Sequence, residues 1–117
     1  MIYTSYFAKY RYQNINSGEG VSIAISAPAG FKGRTYKQLA PSYSLLKRYK
    51  DGLINPKEYT QIYQQEILSK LDPRLVYQQL DNCVLLCWEK SGEFCHRHIV
   101  AKWFFDFIGV KVEELKK

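Results

Sequence analysis

The apolar run at residues 83–88, CVLLCW, is the feature that most constrains the fold of this chain. It shows no alternation of polar and apolar positions, which is typical of a strand covered on both faces. Glu89 marks the point where the chain leaves the core, and a helix is predicted to begin near Phe94 or Cys95. Strands buried on both faces occur mainly in parallel sheets that carry helices, so the run predicts an α/β fold.

The rest of the chain agrees with this class. Strands are predicted at residues 2–8 and 21–27, the second after a turn at 18–20. Helix caps follow at Ser42, at Asn55 with Pro56, and at Asp72 with Pro73. The last helix should end at Ile108 with Gly109 as its left-handed cap, before a short edge strand within 110–115. We therefore expect one small domain, residues 1–117, with a short and mainly parallel sheet flanked by helices. The connection at 9–16 is polar, and the pairing of the first two strands stays open between a wide hairpin and a crossover.

Composition limits the classes of protein to which the chain can belong. Its 117 residues are 46% hydrophobic, enough for one buried core. No apolar run reaches the roughly 18 residues of a membrane span, and the N-terminus lacks the pattern of a signal peptide. Three cysteines, an odd number, favour reduced thiols over a disulfide framework. We expect a cytoplasmic protein without a membrane partner.

A formal charge of +6 favours anionic partners such as nucleotides or nucleic acid. Basic and aromatic residues alternate at 7–12 and 43–49, a mixture used for stacking on bases but equally common in half-buried packing. A glycine and cation loop at 28–34 is a candidate anion cradle, although it lacks the spacing of a Walker loop. If the strands are parallel, a phosphate is expected between Arg34 and Arg97.

The predicted start of the last helix carries the candidate chemistry. His96 and Arg97 fall on the face directed toward the sheet, so each needs an acceptor or an anionic partner there. In a structural interpretation, Glu89 or a backbone carbonyl satisfies both residues and locks the strand to the helix. In a functional interpretation, Glu89 and His96 handle protons, and Cys95 at the helix start is a reactive thiolate. Against this, a free cysteine is commonly a small buried hydrophobe.

Zinc ligation is a further alternative for these side chains. The candidate ligands are Cys87, Cys95, His96 and His98. No Cys-x-x-Cys pair accompanies them, so we predict neither a metal site nor a cofactor.

Two segments, LLCWEK at 85–90 and EFCHRH at 93–98, are followed by an apolar helix and together resemble the "domain of unknown function 488" family. Upstream, the middle of that family is similar to LAPS at 39–42 with Leu45 and Leu46, and then to Glu58, Tyr59 and Tyr63 before Ile67 and Leu68. The resemblance covers about the last two-thirds of the chain. It implies a compact α/β fold without naming a reaction. It also implies one cleft faced by Cys87, Glu89, Cys95, His96 and Arg97.

The function predicted from these observations is binding of a small phosphorylated or nucleotide-like ligand at the strand end, with a reaction on it as a further step. Arg97 and Arg34 would hold the anion. Cys87, Trp88 and Ser5 are expected to line the cleft, with Trp88 standing where the family often has a small residue. The alternative is a non-enzymatic module that binds nucleic acid or protein through its basic surface.

Overall fold

A computed structural model describes residues 1–10 and 19–115 of the chain. In these residues five short strands form one sheet in the order β3-β2-β4-β1-β5, and every neighbouring pair is parallel. The strands are β1 (Tyr3–Tyr6), β2 (Glu19–Ser22), β3 (Arg34–Thr35), β4 (Cys83–Cys87) and β5 (Glu113–Glu114). The predicted α/β class, with a parallel sheet flanked by helices, is confirmed.

Strand β4 is the centre of the sheet, and all five of its residues are buried. It pairs with β1 on one side and β2 on the other, so that Leu86 aligns with both Ser5 and Ser22. The first two strands are therefore not neighbours, and the hairpin considered for them does not form. An apolar strand inserts between them because it needs a partner along both of its edges to satisfy its buried backbone groups.

In the described part of the chain, five α-helices accompany the sheet: α1 (Phe7–Tyr10), α2 (Tyr43–Lys50), α3 (Pro56–Glu66), α4 (Pro73–Leu80) and α5 (His96–Ile108). The predicted caps are confirmed. Ser42 accepts from the amide of Leu45, Asn55 forms a reciprocal capping box, and Asp72 accepts from the amide of Arg74. Gly109 ends α5 at φ 69°, in the left-handed region that glycine adopts without strain.

The N-terminal third differs from the prediction. Strand β1 ends at Tyr6 and α1 begins at Phe7, and β2 covers Glu19–Ser22 instead of 21–27. The predicted turn at 18–20 is wrong for Glu19 and Gly20, which belong to β2. A Cβ on Gly20 would lie 2.7 Å from the ring of Tyr10, so any larger residue at this position would require that ring to move. Most of the predicted connection at 9–16 lies outside the described residues.

The two faces of β4 pack into different clusters. Leu85 belongs to the main core, which it shares with buried side chains of α2, α3, α4 and α5. Val84 and Leu86, which alternate with it, join a smaller cluster with Phe7. Since all strands are parallel, their carboxyl ends share one edge of the sheet, and the start of α5 lies there.

Within residues 1–10 and 19–115, the longest helices are too short or too polar to cross a bilayer.

Candidate functional site

Arg97, in the first turn of α5, is completely buried and uses its guanidinium entirely on internal partners. Its Nε and Nη2 donate to the two carboxylate oxygens of Glu114 at 3.0 and 2.7 Å. Its Nη1 donates to the backbone carbonyl of Glu89 at 2.8 Å and to Cys87 Sγ at 3.0 Å. The group also lies 5.8 Å from the centre of the Tyr6 ring. This cluster joins the end of β4 to the start of α5 and to β5.

Glu114 is the partner that the sequence interpretation missed. It also accepts from Thr4 Oγ1 at 2.6 Å and from Ser91 Oγ at 2.5 Å. Burial by itself would raise the pKa of the Glu114 carboxyl, but the hydrogen bonds from Arg97, Ser91 and Thr4 outweigh it and lower the pKa to about 2. Of the two partners considered for Arg97, the Glu89 side chain and a backbone carbonyl, the structure has a backbone carbonyl, that of Glu89 itself.

His96 lies beside Arg97 and points to the other side of β4. Its Nε2 is 2.6 Å from the backbone carbonyl of Ile23, just beyond β2. A carbonyl can only accept, so Nε2 carries the proton and Nδ1 is left unprotonated, 3.7 Å from Cys95 Sγ. Burial lowers the pKa of His96 to about 4, although the bond to Ile23 opposes this change, and the nearby charge of Arg97 lowers it further. The backbone carbonyl that we considered as the partner of His96 is the one observed.

Cys87 and Cys95 meet across the gap between the end of β4 and the start of α5. Their sulfurs are within bonding distance, and their Cα atoms are 7.6 Å apart. The structure thus brings the sulfurs of Cys87 and Cys95 into contact, which the expectation of reduced thiols did not include. Cys95 is the N-cap of α5 and extended in backbone, which turns its side chain away from the helix axis and toward the strand. Cys83, at the other end of β4, is buried and free.

Two adjoining cavities open at this edge of the sheet. The larger has a volume of about 390 Å³ and the smaller about 70 Å³. We call the two together the edge cleft, defined by the residues that line both: Leu46, Lys50, Glu89, Cys95 and His96. Lys50, the last residue of α2, was not predicted as a site residue, because its distance in sequence from Glu89 hides the fact that both residues line the same cavities.

Three rings form one wall of the larger cavity. Tyr49, Tyr59 and Phe94 lie with their ring centres 5.1 to 5.5 Å apart. Burial raises the pKa of the Tyr59 hydroxyl, and the nearby negative charge of Glu89 raises it further. The Glu89 carboxylate itself makes no hydrogen bond or salt bridge with any residue that the structure describes. The lining of the larger cavity thus combines an aromatic wall with one cation, Lys50, and two carboxylates, Glu89 and Glu93.

Of the other residues predicted to line the cleft, Trp88 does so and Ser5 does not. Trp88 lines the smaller cavity, where its Nε1 donates to the carbonyl of Ser26 at 2.8 Å and its ring packs on Phe7. Ser5 is fully buried beside Leu86 and lines neither cavity. Its hydroxyl has no hydrogen-bond partner within the described part of the chain.

The structure does not bring Arg34 and Arg97 together. Arg34 donates to Cys83 Sγ at 3.4 Å and to the carbonyl of Gln79 at 3.0 Å. Cys83 is the first residue of β4, whereas Arg97 contacts Cys87, the last one. The two guanidinium groups therefore lie at opposite ends of the central strand.

The family model described as "Active DUF488-N3 subclade" matches residues 6–106 of the chain. The chain belongs to the DUF488 family. The matched range contains Lys50 and the segment from Cys87 to Arg97, whereas Glu114, which closes the Arg97 cluster, lies outside it. No curated protein and no solved structure matches the chain.

In this DUF488 chain the two sides of β4 have different chemical capacities. On one side, all three guanidinium nitrogens of Arg97 donate to partners within the protein, so the cluster serves to hold three elements together. On the other side, Lys50 and Glu89 border open space next to two cysteine sulfurs and an imidazole acceptor. A carboxylate at hydrogen-bonding reach of a bound molecule can accept a proton, and an ammonium can hold an anion.

Proposed function

We propose that this DUF488 chain binds a small phosphorylated, nucleotide-like ligand in the edge cleft, in the reducing environment of the cytoplasm, and acts on it. The observation that carries the proposal is a cavity of about 390 Å³ at the carboxyl edge of a parallel sheet, with aromatic rings on one wall and Lys50 and Glu89 at its rim. Cavities of this size accommodate small-molecule ligands, and this edge is where open α/β sheets bind them.

Lys50 supports the anionic part of the proposal. It is exposed, it lines both cavities, and it makes no salt bridge with any residue in the described ranges. Arg97 is a weaker candidate than the sequence indicated, since binding an anion there would require breaking its bonds to Glu114. We therefore transfer the anion-binding role from Arg97 and Arg34 to Lys50.

The aromatic wall supports a ligand with a planar ring. Tyr49 and Phe94 are half-buried, so each presents part of its surface to the cavity. Packing of a nucleobase on such rings contributes about 1–3 kcal/mol per base. A phosphate at Lys50 and a base at the rings would together fill the larger cavity.

Glu89 is the residue to which we assign the chemical step. Its carboxylate is unengaged in the described structure and lines both cavities, so it can accept a proton from a bound ligand or water. The description of the matched subclade as active supports a reaction as well as binding. The Cys95 sulfur is buried and lies against Cys87, which makes it a poor candidate for the nucleophile.

The test is thermal denaturation of the purified chain with adenosine and guanosine phosphates, ribose 5-phosphate and inorganic phosphate. A ligand that binds only the folded protein raises the melting temperature with its concentration. We expect Lys50→Ala to weaken the binding of the stabilising ligand by about 10- to 100-fold, the effect of losing one charge-assisted contact. Isothermal titration calorimetry on the same ligand gives the Kd of each variant.

Lys47→Ala is the matched control. Lys47 lies on the same helix, carries the same charge and is paired with Asp51 at 2.9 Å outside both cavities. Equal losses for Lys47→Ala and Lys50→Ala would indicate that only net charge matters. Salt-dependent binding of RNA or DNA with no response to small phosphates would favour the alternative function, a basic nucleic-acid-binding module.

A further inference from the structure

We propose that Cys87, Cys95 and His96 form a binding site for one divalent transition-metal ion of the zinc type when the two thiols are reduced. The ligand atoms of these three residues all lie within 4.8 Å of one another, and all three residues are buried. Two thiolates and one imidazole are the donor set that proteins use for zinc. The site shares Cys95 and His96 with the edge cleft, but metal binding there does not depend on the proposed phosphorylated ligand.

The orientation of His96 is that of a metal ligand. Its Nε2–H donates to the Ile23 carbonyl at 2.6 Å, which fixes the tautomer and leaves the Nδ1 lone pair unprotonated. Nδ1 lies 3.7 Å from Cys95 Sγ, on the side where the two sulfurs meet. Metal-binding histidines almost always donate their second nitrogen to a carbonyl or carboxylate in this way, because that bond holds the ring in place.

The charges around the sulfurs also suit a dication. Two buried thiolates carry two negative charges, and the guanidinium of Arg97, which donates to Cys87 Sγ at 3.0 Å, is already neutralised by Glu114. A divalent ion would make the assembly neutral, whereas without it the buried pair must stay protonated or oxidised. Each thiol releases its proton when it binds the ion.

The backbone spacing of the cysteines fits two ligands of one ion. Their Cα atoms are 7.6 Å apart, beyond the 4.4–6.8 Å that disulfides usually span. Two sulfurs bound at 2.3 Å to a tetrahedral ion are separated by about 3.8 Å, which is more than the sulfur separation in a disulfide. The Cα separation of 7.6 Å suits this greater distance between the sulfurs. A reductant that opens the pair therefore provides a site without moving β4 or α5.

A fourth position faces the smaller cavity, which Cys87, Cys95, His96 and Glu89 line. Its volume of about 70 Å³ is large enough for a water molecule. Three protein ligands with an open fourth position are typical of catalytic rather than structural zinc sites. The eight-residue separation of the cysteines explains why no Cys-x-x-Cys pattern indicated the site.

The test is titration of the full reduced chain with Co²⁺ under anaerobic conditions. We expect one equivalent to bind and to give the visible bands of four-coordinate cobalt with sulfur-to-cobalt charge transfer, and Zn²⁺ to displace it. Cys95→Ser and His96→Ala should abolish the tight site. Cys83→Ser, which removes the buried cysteine outside the cluster, and His98→Ala, which removes the neighbouring imidazole, should leave the spectrum unchanged.

Wild-type protein supplies a second readout in case the ligand variants fail to fold. With zinc bound, mass spectrometry after alkylation should show Cys87 and Cys95 protected, and adding EDTA should expose both. Absence of cobalt bands in the reduced chain overturns the proposal. So does a spectrum that survives Cys95→Ser, one that is lost in Cys83→Ser, or thiol reactivity that does not respond to EDTA.

Discussion

The Arg97 cluster and the edge cleft begin from adjacent residues of α5 and yet differ in how completely their charges are satisfied. Arg97 donates to Glu114, to Cys87 and to the Glu89 carbonyl, and is completely buried. Lys50 and Glu89 border a cavity and have no ion-pair partner among the residues described. The comparison indicates that a buried, fully paired charge serves the architecture, and that an unpaired charge beside a cavity is the better candidate for function.

The largest effect should follow from removing Arg97. We expect Arg97→Met to lower the free energy of unfolding by about 3–5 kcal/mol, because Glu114 is left partly buried without its counter-charge. Urea denaturation at neutral pH measures the difference. Arg74→Met, at an exposed arginine of α4, is the control and should change stability by less than about 0.5 kcal/mol. A similar small loss for Arg97→Met would show that the cluster does not hold the fold together.

Protonation of Glu114 at low pH should lower the free energy of unfolding by somewhat less than the Arg97→Met substitution does. Its pKa of about 2 lies below the ordinary value of 4.5, so the folded state binds fewer protons than the unfolded state between these two pH values. The stabilisation, about 3 kcal/mol, is complete above pH 4.5 and is lost as the pH falls toward 2. The difference in unfolding free energy between wild type and Glu114→Gln should follow this course.

Glu113→Gln is the control for the acid experiment. Glu113 is the exposed neighbour of Glu114 in β5 and pairs with Lys111 at the surface. Its substitution should leave the acid dependence of stability close to that of wild type. If Glu114→Gln also retains that dependence, other carboxyl groups cause it.

The smallest effect on stability is expected at Glu89. Because its carboxylate has no internal partner in the described structure, Glu89→Gln should change the free energy of unfolding by less than about 0.5 kcal/mol. Binding of the phosphorylated ligand should be preserved or tightened, since a negative charge leaves the rim of the cleft, while turnover should be lost. A large loss of stability without an effect on turnover would show that Glu89 stabilises the fold and does not take part in the proposed reaction.

Much of the secondary structure could be predicted because its signals are local. The capping box of Asn55 and Glu58 and the cap of Asp72 involve residues two or three positions apart. The N-terminal third was harder, since the position of β2 depends on the packing of Gly20 against Tyr10 and on its pairing with β4. Neither contact leaves a pattern in the sequence around residue 20.

The candidate site was predicted in part. The segment from Cys87 to Arg97 does lie at the carboxyl edge of the central strand, and His96 and Arg97 do point inward. Their partners were not predictable, because Ile23 is 73 residues from His96 and Glu114 is 17 residues from Arg97. Periodicity identifies the face of a helix that is buried but not the element that packs against it.

By itself the sequence determined the α/β class, the helix caps and the position of β4, since these follow from hydrogen bonds within a turn and from the apolar run at residues 83–88. Only the tertiary structure decided that β4 separates β1 from β2, that Glu114 neutralises Arg97, and that Lys50 meets Glu89 at one cleft. These outcomes depend on contacts between distant segments, whose free energies are settled by how the whole chain packs.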